Sequence, residues 1–160
     1  MQGKTARTVI SATFLAAGLA LSVSNAAAQS VKSVAGTYTP VSVPAFGDNP
    51  RGSMILAANG QYSIVIARAT MAKIAGGARN KGTPDENKAI VDGSIAHVGK
   101  FTIDDKGKSI SFHTATSTFP NWDGTTQKRA LKVKGDTLTY TVTAPSNGGA
   151  PNDVVWKRVK

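Results

Sequence analysis

In several predicted strands of this sequence, a basic side chain lies on the same face as the apolar side chains. In an alternating strand, His97 faces the same way as Phe101, and Arg129 faces the same way as Leu131. A buried cation is costly unless it is paired, and most of the 9 acidic residues fall in predicted turns, so an incoming anion is the natural partner. The pattern therefore favours recognition of an acidic group by an apolar cavity. The arginines concerned are Arg68, Arg129 and Arg158.

Each of these side chains also has a purely structural interpretation. An arginine at a strand end can lay its methylene stem on the rim of a barrel and keep its guanidinium in water. A histidine on an apolar face is more often a hydrogen-bonded core residue than a ligand contact. Alternation alone leaves both interpretations open for Arg68, His97 and Arg129.

Patterns typical of catalytic and metal centres are mostly absent. With Cys 0, the chain has no disulfide, no thiolate metal site and no cysteine nucleophile. His97 and His113 fall in different predicted strands without a ligand motif, and no Gly-x-Ser-x-Gly elbow occurs. We predict no catalytic residue, no metal site and no cofactor, and we expect a binding protein more than an enzyme.

Short alternating runs separated by turn residues predict an all-β fold. Two β-branched runs meet at Asn59-Gly60, a dipeptide that tolerates positive φ at both central positions of a hairpin turn. Thr83 or Asp85 is placed to cap one short helix of one or two turns. With the hairpin there are about eight strands, the number at which an antiparallel up-and-down barrel is filled by side chains or holds one small ligand. The other runs begin at Gly36 and then span 94–103, 109–117, 128–134, 137–143 and 154–159.

The first residues predict export. Lys4 and Arg7 precede a short apolar stretch, and the alanines at 26–28 follow it as a cleavage site. We therefore predict a signal peptide over 1–28 and one barrel domain over 29–160. The mature protein is expected to be a periplasmic or secreted monomer without a transmembrane span. Loss of Lys4 and Arg7, with no acidic residue, lowers the net charge from +10 to +8.

Several segments, in this order and spacing, make the chain resemble the bacterial lipocalin-like domain family. They include Gly36-Thr37-Tyr38 and a Gly-Gln-Tyr-Ser hairpin, and the Phe-Pro-Asn-Trp segment precedes Arg129. The resemblance covers essentially the whole mature chain and implies an up-and-down barrel with a cup-shaped interior. Members of this family are largely without an assigned activity. The segments are 36–38, 60–63, 95–104, 119–124 and 156–158.

The resemblance also implies a closure contact between the first and last strands. In lipocalins an aromatic residue of the first strand's Gly-x-Trp packs beside an arginine of the last strand. Here Tyr38 stands in the aromatic position, and Arg158 is the matching cation, so a ring-to-cation contact remains possible. The predicted closure residues are Gly36, Tyr38, Trp156 and Arg158.

Three classes of function follow, of which we prefer a protein that binds a small amphipathic, anionic molecule. The second is a cyclase or isomerase, which would show a strongly shifted pKa on His97 or on a tyrosine in the cup. The third is a filled barrel that binds an anionic surface, which would lack a cavity. Export disfavours nucleic acid as a partner. The predicted ligand contacts are Tyr62, Phe101, Phe112 and Tyr140 for the apolar part and Arg68, His97 and Arg129 for the polar end.

Overall fold

A computed structural model describes residues 29–160, and the predicted signal peptide lies outside the described residues. Eight antiparallel strands close a barrel in sequence order, with the last strand paired to the first. The predicted eight-stranded barrel and its short helix are confirmed, and a further helix that the sequence did not predict precedes the first strand. The strands are β1 (Gly36–Ser42), β2 (Arg51–Leu56), β3 (Gln61–Ala67), β4 (Ser94–Ile103), β5 (Ser109–Ser117), β6 (Thr126–Lys134), β7 (Thr137–Val142) and β8 (Asn152–Arg158), with helix α1 (Val31–Val34) before β1 and helix α2 (Pro84–Gly93) before β4.

The two ends of the barrel differ in their connections. Because neighbouring strands run in opposite directions, alternate connections lie at the same end. The short turns after β2, β4 and β6 share one end with α1, which we call the closed end. The longer connections after β1, β3, β5 and β7 share the other, which we call the open end. Irregular structure, including α2, is therefore concentrated at the open end.

The hairpin between β2 and β3 forms where it was predicted, but its turn is of another type. Leu56 pairs with Tyr62, and Gly60 N donates to Ala57 O at 2.9 Å. Gly60 has φ 84°, whereas Asn59 does not have a positive φ. The loop thus has the form of a type I turn followed by a left-handed glycine, rather than two left-handed residues.

The α2 helix begins at a capping box. Thr83 Oγ1 accepts from Glu86 N at 3.2 Å, and the Glu86 carboxylate accepts from Thr83 N at 2.8 Å. Glu86 also accepts from Ala75 N at 2.9 Å, which ties the glycine-rich loop to the helix. These backbone hydrogen bonds lower the pKa of Glu86. The helix runs to Gly93, farther than the predicted one or two turns, and so covers one side of the open end.

Large apolar side chains fill the barrel toward the closed end. Trp156, Leu138 and Ile110 have no exposed surface, and each points inward from a different strand. A filled interior of this kind is expected for a barrel of eight strands. The other fully buried large side chains are Val34, Tyr38, Met54, Leu56, Ile64, Phe101, Phe112 and Tyr140.

Tyr38 and Arg158 seal the closed end together. Tyr38 pairs with Arg158 across β1 and β8, and the guanidinium carbon lies 4.8 Å from the centre of the tyrosine ring. Arg158 donates to the carbonyls of Ala35 and Ser33, and Tyr38 Oη donates to Val34 O at 2.6 Å. A Cβ at Gly36 would collide with the same guanidinium. The two side chains therefore hold the last turn of α1 over the barrel.

Arg158→Ala is expected to lower the free energy of unfolding by about 1 to 3 kcal/mol, because it removes the ring contact, the packing of the stem and the bonds to α1 carbonyls. Urea unfolding measures the change. Lys157→Ala is the matched control, since Lys157 is the preceding residue of β8 and is exposed. Equal losses in the two variants would mean that Arg158 acts as an ordinary surface side chain.

Candidate ligand-binding site

Arg129 is the buried cation of the barrel interior. It is 4% exposed, and its Nη2 donates to Gln127 Oε1 at 2.6 Å. The sequence predicted a strand beginning at 128, with Arg129 at the strand's end. The strand instead begins at Thr126, so Arg129 lies deeper, paired opposite Ile110. The interpretation that its guanidinium stays in water at a strand end is therefore wrong for this residue.

Aromatic rings surround the Arg129 guanidinium. Its carbon lies 4.7 Å from the ring centre of Tyr140, 5.2 Å from Phe112 and 5.9 Å from Trp122. Within residues 29–160 the ion pairs are Lys88 with Asp92 and Lys160 with Asp136, so no carboxylate there neutralises Arg129. Ring faces and one amide oxygen compensate the charge only in part.

A second polar group is formed by three hydrogen-bonded side chains. The Tyr62 hydroxyl lies 3.0 Å from His97 Nδ1 and 3.1 Å from Thr114 Oγ1, and all three residues are buried. Burial, and then the charge of Arg129, lower the pKa of His97 to about 3. Burial also raises the pKa of Tyr62 and of Tyr140. His97 is therefore neutral throughout the physiological range.

The enzyme hypothesis expects a strongly shifted pKa on His97, and the pKa is strongly shifted. It is lowered, however, and so moves away from the neutral pH at which a catalytic acid or base would work. A general acid or base works best when its pKa lies near the operating pH. An imidazole with a pKa of about 3 is a weak base and holds no ionisable proton to donate at pH 7. His97 is therefore poorly matched to general acid–base catalysis near pH 7.

Three neighbouring spaces open around these side chains. The inner cavity, about 40 Å³, is lined by His97, Arg129 and Tyr140 and covered by Phe46 and Trp122. The α2 pocket, about 290 Å³, lies against α2 at the open end. The β6 pocket, about 220 Å³, lies beside the first residues of β6. The barrel is thus filled toward its closed end and retains a small cavity toward its open end.

The structure brings most of the predicted ligand contacts together and separates two. Phe101 lies in the filled core opposite Phe112 and lines none of the three spaces. Tyr62 and Phe112 also line none of them, but Tyr62 contacts His97 and Phe112 contacts Arg129. Arg68 is exposed and does not line the inner cavity, although alternation predicted that it faces inward. The reason is that β3 ends at Ala67, so alternation no longer governs the next residue. The residues brought together are Tyr62, His97, Phe112, Arg129 and Tyr140.

Four further side chains complete the site. Thr114 and Gln127 are two residues from Phe112 and Arg129, so alternation places them inward and could have identified them. Trp122 belongs to the segment that precedes Arg129, but the pattern did not indicate that its ring covers the cation. Phe46 lies in a Pro- and Gly-rich loop, which carries no signal for a buried ring.

Metal ligation and membrane crossing by helices find no support in the part of the chain that the structure describes. Across residues 29–160, histidine and acidic side chains form no group of three or more that could hold a metal ion. Over the same residues, each helix is too short or too polar to span a membrane.

Comparison with known proteins agrees with the barrel fold. A family model described as a lipocalin-like domain matches residues 27–159. A curated protein of Aspergillus oryzae, 4'-hydroxy-3'-methoxypropiophenone carrier protein ppsC, is 31% identical over 70 residues, which are 40% of this chain. The match spans 63% of that relative's length. Because the family model covers nearly all of the described barrel, the chain belongs to the lipocalin-like domain family.

Proposed function

We propose that this protein is an exported carrier that binds a small amphipathic ligand through an acidic or electron-rich oxygen held by Arg129. The observation that carries the proposal is a guanidinium that is 4% exposed, borders a cavity and has no carboxylate partner among residues 29–160. A buried charge left without a partner is costly, so a ligand that supplies the missing charge binds favourably.

The side-chain groups beside the Arg129 guanidinium include an unused donor on Gln127, which lines the β6 pocket next to the inner cavity. An arginine side chain has N–H groups and no acceptor. Gln127 Oε1 is occupied by Arg129, whereas Gln127 Nε2 is buried and finds no acceptor within the described chain. A ligand oxygen that accepts hydrogen bonds suits this arrangement better than an ammonium group. Carboxylates, phenolates and ketones have such an oxygen.

The relative supports the carrier role. The Aspergillus oryzae protein is named as the carrier of 4'-hydroxy-3'-methoxypropiophenone, a phenol that also has a ketone oxygen. The identity is modest and covers part of each chain, so this compound is a probe and not an assigned ligand. Export rests on the predicted signal peptide. N-terminal sequencing of the protein from the cell envelope tests it, with a first residue near Gln29 expected.

Binding of matched probes tests the proposal. Isothermal titration at pH 7 compares octanoate with 1-octanol, and 4'-hydroxy-3'-methoxypropiophenone with its 4'-methoxy ether. A charge-assisted contact contributes about 1.5 to 3 kcal/mol, so octanoate is expected to bind roughly tenfold to a hundredfold more tightly than the alcohol. Equal affinities of octanoate and 1-octanol would overturn recognition of the acid by Arg129, and no binding of any probe would overturn the carrier proposal.

A filled-barrel module that binds anionic surfaces is the second candidate. It is supported by the filled closed end, by the small inner cavity and by the predicted net charge of the mature chain. Sedimentation with vesicles of anionic and of neutral lipid tests it. Binding to anionic vesicles, together with failure of all four soluble probes, would favour this candidate over the carrier.

A further inference from the structure

The inner cavity is too small to hold a whole ligand. A single water needs about 10 to 15 Å³ of such space, so about 40 Å³ accepts only a few atoms. Sites for small organic ligands usually measure roughly 300 to 1,000 Å³. Only the polar end of a carrier's ligand fits in the inner cavity, and the rest must lie in a neighbouring space. The candidates are the α2 pocket and the β6 pocket, which Arg129 also lines.

We propose that the α2 pocket is a second subsite, which holds the apolar chain of a medium-length carboxylate whose head lies at Arg129. The inference rests on the proposed function and extends it by placing the ligand tail at the open end of the barrel, against α2. The two spaces are neighbours, since Phe46 and Ile95 line both of them. Displacement of the Phe46 ring is the step that would join them.

The α2 pocket has a mixed lining in which apolar residues predominate. Its polar members are Asp92, Ser94, Thr118, Ser146 and Asn147. Ile90 and Val91 contribute from α2, and Phe119 contributes from the connection after β5. Val91 is 72% exposed, so a large apolar side chain stands at this pocket with little protein cover. Asp92 is the acidic residue of the lining, and it is paired with Lys88 on the helix. A bound chain would remove this apolar surface from water.

The β6 pocket is a less suitable place for the tail. Its lining includes Thr126, Gln127, Lys128 and Thr143, which are polar or charged. An apolar chain placed there would separate these groups from water without replacing their hydrogen bonds. The tail is therefore assigned to the α2 pocket.

A chain-length series with two matched variants tests this assignment. Titration of butanoate, hexanoate, octanoate and decanoate into the intact protein is expected to show a gain of roughly fourfold in affinity per methylene, the value for full burial. Val91→Glu and Thr143→Glu each add one negative charge at an exposed position of the open end, in the α2 and β6 pockets respectively. Circular dichroism checks that both variants fold.

Val91→Glu is expected to weaken decanoate binding at least tenfold and butanoate binding less than twofold, whereas Thr143→Glu changes neither by more than twofold. Equal effects of Val91→Glu on all chain lengths, or a length-selective effect of Thr143→Glu, would overturn the tail placement. If affinity does not rise with chain length but octanoate still binds more tightly than 1-octanol, the tail placement is overturned while the Arg129 site stands. Absence of acid binding by the intact protein would overturn both the carrier proposal and this inference.

Discussion

Arg129→Met is expected to weaken octanoate binding roughly tenfold to a hundredfold and to leave 1-octanol binding nearly unchanged. The reason is that the guanidinium is the buried cation of the cavity, and a charge-assisted contact is worth about 1.5 to 3 kcal/mol. Methionine keeps most of the length of the stem, so the packing against Phe112 and Tyr140 is preserved. Titration with the acid and the alcohol separates the charge from apolar contact.

The same substitution should not destabilise the fold. Desolvation of an ion costs several kcal/mol, while the ring contacts return about 2 kcal/mol and the Gln127 bond somewhat less. We expect the free energy of unfolding to rise by about 1 kcal/mol in urea experiments. Lys128→Met is the control, because it removes an exposed charge at the next position. A loss of more than 2 kcal/mol in Arg129→Met would show that the cation is retained for stability and not for a ligand.

Acidification is expected to destabilise the protein through His97. The folded state lowers the pKa of His97 from 6.5 to about 3, by burial and by the charge of Arg129, so the unfolded chain binds the proton more readily. The contribution is fully present above pH 6.5 and is lost as the pH falls toward 3. Between these values the free energy of unfolding should fall by about 1.4 kcal/mol per pH unit from this group alone.

His97→Gln isolates that contribution. The variant has no imidazole at this position, so its unfolding free energy should fall less steeply between pH 6 and pH 4, although its stability at pH 7 also changes. Carboxylates with lowered pKa values, Glu86 and Asp104, act in the same direction in both proteins and cancel in the comparison. His113→Gln removes the other histidine, which is exposed, and serves as the control. Parallel pH profiles for the intact protein and His97→Gln would contradict the assignment.

The strands of the barrel follow from local chemistry in the sequence. Alternation of apolar and polar residues set them, because successive side chains in a strand point to opposite faces. The run at 94–103 and the run at 109–117 match β4 and β5, and Thr83 caps α2 as a capping residue should. The same alternation selected Tyr62, His97, Phe112, Arg129 and Tyr140 as inward-facing residues, and these are the side chains that the fold brings together.

Tertiary structure alone decided how deep each side chain lies and how much space remains. Alternation gives a face and not a depth, so it treated Arg68 and Arg129 alike, although one follows the end of its strand and the other lies inside the barrel. It also could not show that Phe46 and Trp122 cover the cavity, because they reach it from connections with no period. Cavity volume depends on how side chains from all eight strands pack together, a property that no single stretch of sequence contains.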